Sequence, residues 1–170
     1  MTAAITAAKT LFSAYEGYQR GKISETDEGI RDEIRRRSDM LRSHLENIHN
    51  IAYQEGMKGL RNEVQHTMES CNAVSDVAQF GSSYRSKGNP SIQGNLAKKR
   101  LKALVNHDLR TLELLADCVY NCNQLQHELI EENNEEESIK MARHVQQKLT
   151  RVQNFLNDRN TVFDDLMRGA

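Results

Sequence analysis

Three observations predict an all-α fold, an elongated bundle of about four helices. The 170 residues contain one proline, Pro90. Charged residues make up 28% of the chain and aromatic residues 5%. Apolar residues recur at steps of three and four over long stretches. Proline fixes φ and removes a backbone donor, so a chain that avoids it has few forced breaks. A narrow apolar stripe in charged surroundings suits a helix that buries one face and leaves the rest wet. The length corresponds to one domain, residues 1–170, with a loop near 81–95.

The first helix is expected from Thr2, as its cap, to about Gln19, with Ile5, Ala8, Leu11, Phe12, Tyr15 and Tyr18 on one face. Gly21 ends it. Ser24 with Asp27 three residues later resembles a cap for the second helix. That segment carries Ile30, Ile34, Leu41, Leu45, Ile48 and Ala52, then Leu60, Val64, Met68, Cys71, Val74 and Val77. Arg31 to Glu33 and Arg35 to Arg37 are read as its wet side. Unbroken from Glu25 to Phe80 it would be about 80 Å long. Gly56 and Gly59 interrupt it, each costing roughly 1 kcal/mol relative to Ala. With no Pro, Asn or Ser cluster to mark a turn, the expectation is one very long helix, continuous or kinked, with a helical hairpin turning back at Gly56 and Gly59 as the alternative.

Gly81 to Asn95 gathers Gly, Ser, Asn and Pro and reads as the loop. Asn95 then opens a helix to about Glu131. Its stripe is Leu101, Val105, Leu112, Leu115, Val119, Cys122 and Leu129, widened by Leu104, Leu109 and Leu114. As the most apolar segment it is expected at the bundle's centre. Asn134, with Glu137 three residues on, caps the last helix, which carries Ile139, Val145, Leu149, Val152, Phe155, Leu156, Val162, Phe163 and Leu166. No repeat of fixed period is visible.

The formal net charge of −1 gives no global attraction to nucleic acid or an anionic bilayer. Cys71, Cys118 and Cys122 make no disulfide framework and read as buried apolar residues in a reducing compartment. No stretch approaches the roughly 20 apolar residues of a membrane span, and no secretory signal is visible. The expected location is the cytoplasm. No Gly-rich phosphate loop, G-x-S-x-G elbow or paired C-x-x-C is present, and no cofactor is expected.

Two short patterns carry chemistry. Glu46-x-x-His49 and Glu63-x-x-His66 have the spacing that di-iron carboxylate bundles take from two helices. The further glutamates such a site needs are missing, so no metal site is assigned. Arg61-Asn62-Glu63-Val64-Gln65-His66 is similar to the R-N-x-x-x-H motif of HEPN-type ribonucleases, which are all-helical and usually dimeric. That resemblance, over six residues, implies that Arg61 and His66 face the matching pair of a second subunit across an RNA phosphate, with Asn62 in support. On a straight helix, however, residues five apart diverge by about 140°.

Lys98, Lys99, Arg100 and Lys102 form a locally basic patch that suits an anionic partner, nucleic acid included. Residues 1–18, rich in Ala with Lys9 their only basic residue, raise membrane association as an alternative. The reading this sequence supports best is a non-enzymatic interaction or oligomerisation module, a structural or adaptor subunit that meets itself or another helical protein. Ile34, Leu41, Leu45 and Ile48 are its expected contact stripe, because they lie in a heavily charged segment. Limited trypsinolysis should cut first at Arg85 or Lys87 and leave two associated helical fragments. Cleavage within the helices before this loop would contradict the assignment.

Overall fold

The computed structural model describes residues 16–18, 20, 22–81 and 95–168. Among them lie four long helices, α1 (Ile23–Gln54), α2 (Lys58–Phe80), α3 (Asn95–Glu131) and α4 (Glu135–Arg168). The fold is an all-α bundle. Residues 16–18 are helical and belong to the expected first helix. The rest of that helix that was read as membrane-associating, residues 1–15, and residues 82–94 of the loop lie outside the described residues.

The very long second helix is in fact a hairpin, and Gly56 is the reason. Its φ is 73°, in the left-handed region that L side chains disfavour. The Gly56 amide donates to the Tyr53 carbonyl at 3.2 Å, and the Met57 amide donates to Ala52 at 2.8 Å. This pair of bonds is the Schellman arrangement, which satisfies carbonyls that a helix end leaves without partners. Met57 and Ala52, which the motif brings together, are both buried. The chain then reverses. Near the start of α1, Arg31 donates to the carbonyl of Ala78 in the last turn of α2.

A second turn joins α3 to α4. Asn133 takes φ 52°. Asn134 Oδ1 accepts from the Glu137 amide at 3.3 Å, so the cap expected at Asn134 is formed. By contrast, α1 has no side-chain cap; Asp27, expected to support one at Ser24, turns inward.

The two hairpins lie side by side as a ring of four helices. α1 packs on α2 and α3, and α4 packs on the same two, so α1 and α4 are diagonally opposed. No helix is central, contrary to the expectation for α3. α2 runs parallel to α4: Glu63 meets Arg143, and Glu135 Oε1 accepts the Gly59 and Leu60 amides at 2.8 and 3.2 Å. The first residue of α4 thereby caps the first turn of α2, where amides lack intrahelical partners and the helix dipole favours an anion.

All four helices share one core. Ile34, Leu41, Leu45 and Ile48, expected to need a partner chain, are fully buried in it. The hairpin supplies the covering surface that a continuous helix would have lacked. Leu109, expected to widen the core stripe of α3, is instead 40% exposed.

A repeat emerges in the burial pattern that residue identities conceal. Asp27, Arg31, Leu41, Leu45, Ile48 and Ala52 of α1 correspond, at one fixed offset, to Leu104, Asp108, Cys118, Cys122, Leu125 and Leu129 of α3. Leu60, Val64, Cys71, Val74 and Ala78 of α2 correspond likewise to Ser138, Ala142, Leu149, Val152 and Leu156 of α4. Among the described residues the two hairpins thus share one burial pattern.

Replacing Glu135 with Ala should cost about 1 kcal/mol in urea unfolding, because it removes an acceptor from two amides at a helix start. No change would mean that the cap is not formed in solution.

Candidate functional site

The strongest concentration of chemistry is a charge network sealed in one end of the bundle. Asp27 and Arg31 of α1 lie one helical turn apart on the same face. Arg31 Nε donates to Asp27 Oδ2 at 2.7 Å. Its Nη2 donates to Asn160 Oδ1 on α4 at 2.7 Å, and its Nη1 to the Ala78 carbonyl on α2 at 3.1 Å. The guanidinium also lies 5.8 Å from the centre of the Phe163 ring, within cation–π range. Cationic charge at the last carbonyls of α2 is favoured by the helix dipole.

Arg159 of α4 completes the network. Its Nη1 donates to Asp27 Oδ1 at 2.6 Å, across the diagonal of the ring, and its Nε donates to Asp108 Oδ1 on α3. Asp108 Oδ2 accepts from the Tyr18 hydroxyl at 2.9 Å. Two aspartates thus balance two arginines, and all four helices contribute together with Tyr18 of the helical segment 16–18. Arg31, Arg159, Asp108 and Tyr18 are fully buried, and Asp27 nearly so.

Burial opposes charge at each of these groups. For Arg159, Asp108 and Asp27 more than offset that penalty and hold its pKa above the ordinary arginine value. For Asp108 burial is the larger influence, and its pKa is raised even with Arg159 and Tyr18 bound to it. Burial, followed by the field of Asp108, pushes the Tyr18 hydroxyl well above its usual value. Gly81 adjoins this layer. A Cβ there would collide with Asn160 Nδ2 and the Val77 carbonyl, so a side chain at the end of α2 would displace the arginine's acceptor.

Sequence reasoning missed this site, and it placed Arg31 on the wet side. The signal was a set of charges at core positions: Asp27 and Arg31 in step with Ile34 and Ile23, Asp108 between Leu104 and Leu112, and Arg159 between Leu156 and Phe163. One turn further along α1, Arg37 is also buried. It donates to Glu33 at 2.7 Å and to the Leu112 carbonyl at 3.4 Å. Asp32 and Arg36 do lie on the outer side and Arg35 is partly exposed, but Glu33 is largely covered between Arg36 and Arg37.

The residues singled out from the sequence are not brought together. Arg61 sits in the first turn of α2 with its guanidinium 5.6 Å from the Tyr53 ring centre. Asn62 and His66 are exposed, and His66 Nδ1 lies 3.4 Å from Glu69. Within one chain the two side chains take different neighbours, Tyr53 for Arg61 and Glu69 for His66. Glu46 pairs with Arg42 and Glu63 with Arg143. Among the described residues no three His, Cys, Asp or Glu side chains gather as metal ligands. Lys98, Lys99 and Lys102 are exposed on α3, while Arg100 donates to the Asp165 carbonyl at 3.0 Å. Cys71, Cys118 and Cys122 are free and buried. Among the described residues no helix is long and apolar enough to cross a membrane.

Comparison with protein-family models, curated proteins and solved structures returns no match.

Burial pushes the Cys118 and Cys122 thiols up to about 12. Between the ordinary value near 9 and this raised value, the unfolded chain loses thiol protons that the folded chain retains. Their stabilising contribution is therefore complete below about pH 9 and is lost as pH rises through about 12, at roughly 1.4 kcal/mol per pH unit for each thiol. Urea midpoints should fall over that window, and less steeply in a Cys118→Ala, Cys122→Ala variant. Equal slopes would place the thiols in contact with water.

Proposed function

We propose that the chain is a non-enzymatic helical module, a structural or adaptor subunit that presents outer helix faces to a copy of itself or to another helical protein. The observation that carries this reading is where the charges are spent. The fully buried ones engage each other, which suits a role in fixing helices rather than in turning over a substrate. Large apolar side chains remain on the outside instead, among them Tyr53, Phe80, Tyr120 and Ile130. Such side chains contribute most when an aromatic or aliphatic anchor finds a pocket on a partner.

The ribonuclease resemblance draws no support from the placement of Arg61 and His66 within one chain. A direct comparison separates the two readings. The chain and its Arg61→Ala and His66→Ala variants are incubated with single-stranded and structured RNA, while cross-linking in cells reports association. The module reading expects no cleavage above that of the variants, and cross-links to itself or to another protein that weaken with Tyr53→Ser or Phe80→Ser or with Tyr120→Ser. Cleavage lost in both variants with the fold intact, or a chain that cross-links to nothing, would contradict it.

A further inference from the structure

We infer that the outward face of α3 is the seam of an antiparallel dimer of this chain, an inference that rests on the module reading and names its partner. At about 100° per residue, positions that differ by four, seven or eleven point the same way. Lys102, Leu109, Glu113, Tyr120, His127 and Glu131 follow these steps, on the side of α3 opposite Leu104, Asp108, Leu115, Cys122 and Leu129 in the core. All six are exposed. Leu109 is 40% and Tyr120 64% exposed, and Ile130 at the margin is 62% exposed. Three of the six large apolar side chains exposed among the described residues therefore lie on one helix, Leu109 and Tyr120 on this line and Ile130 about 80° to one side of it.

The charges along that line say what covers it. Its start is basic, with Lys98, Lys99 and Lys102 exposed. Its end is acidic, with Glu131 and Glu132 exposed and Glu136 just beyond the turn. Glu128 belongs to the same group. Burial raises its carboxyl above the usual range, and the neighbouring charge of Glu132 adds to the shift. Neither Lys102 nor Glu131 has an ion-pair partner among the described residues. Charges nearer the middle are used within the chain, Arg110 with Glu113 and Asp117 with Lys148.

A second copy laid parallel would oppose lysines to lysines and glutamates to glutamates. Laid antiparallel, it brings Lys102 against Glu131 of the other copy twice, by symmetry, with Leu109, Ala116 and Tyr120 between. A two-fold axis makes such a seam self-complementary and closed. One helix face with three apolar anchors is small for an obligate interface, so the dimer should form at micromolar concentrations and weaken with salt. The charges set its orientation more than its strength.

Sedimentation equilibrium on the full chain tests this, with thermal melting to show that each variant folds. Lys102→Glu and Glu131→Lys should each raise the dimer dissociation constant about tenfold or more, because each places like charges together at both ends of the seam. Mixing the two variants should restore association to near the original value, since the mixed dimer pairs opposite charges at both ends. Tyr120→Ser should weaken the dimer without changing that charge response. A chain that stays monomeric at low salt overturns the seam, while the module reading then stands or falls on its cross-links to other proteins. Self-association that ignores both charge changes overturns the seam and leaves the module reading in place.

Discussion

Arg159 reaches across the diagonal of the helix ring to Asp27 while its Nε holds Asp108, so one side chain ties α4 to both α1 and α3. Arg31 extends the tie to α2 through the Ala78 carbonyl, and Asp108 extends it to Tyr18 ahead of α1. Removing two charges from water costs several kcal/mol per ion even after relaxation. That cost is bearable here because each carboxylate meets two donors, and each guanidinium distributes its donors over three groups, Arg159 reaching the Tyr18 hydroxyl through Nη2 at 3.4 Å as its third. Rotating any one of the four helices by a fraction of a turn would strand a charge in the core. A purely apolar core tolerates such slippage far better, since hydrophobic contact has no preferred direction.

The burial pattern that the two hairpins share makes this constraint useful. Their buried positions recur in the same order, while polar and apolar residues change places, as Ile34 and Ser38 of α1 match Thr111 and Leu115 of α3. Arg31 and Asp108 occupy equivalent positions in the two hairpins and carry opposite charges. They distinguish one half from the other at the layer where all four helices meet. At the opposite end the devices are local: the Schellman turn at Gly56, the Asn134 cap, and Glu135 holding the start of α2. The bundle is thus pinned by side-chain charges at one end and by turn chemistry at the other.

Much of this frame was legible in the sequence. The ends of α2 and α3, at Phe80 and Glu131, followed from apolar spacing, and the cap at Asn134 from its side chain. The hairpin at Gly56 was only the alternative to a kink, because glycines inside a helical pattern mark an interruption and leave its geometry open unless the following residue is recognised as an apolar companion. Here that residue is Met57. The charge network escaped for a related reason: periodicity assigns charged residues to the outside, so Arg31, Asp108 and Arg159 fell out of stripes to which they geometrically belong. The contact stripe of Ile34, Leu41, Leu45 and Ile48 was mistaken only in its partner, which is the chain itself once α2 folds back. Outward faces are the least legible. Tyr120 and Leu109 acquire meaning only when the opposite side of α3 is known to be buried.

The buried charges act as one unit that specifies the arrangement of the helices rather than adding net stability. Urea unfolding of three proteins tests it most directly: Asp108→Leu alone, Arg159→Met alone, and the joint variant Asp27→Leu, Arg31→Met, Asp108→Leu, Arg159→Met. Each single change should cost about 3–5 kcal/mol, because an unpaired charge is left in the core, and the joint variant should recover most of that loss. Single changes that cost little, or losses that simply accumulate in the joint variant, would contradict it.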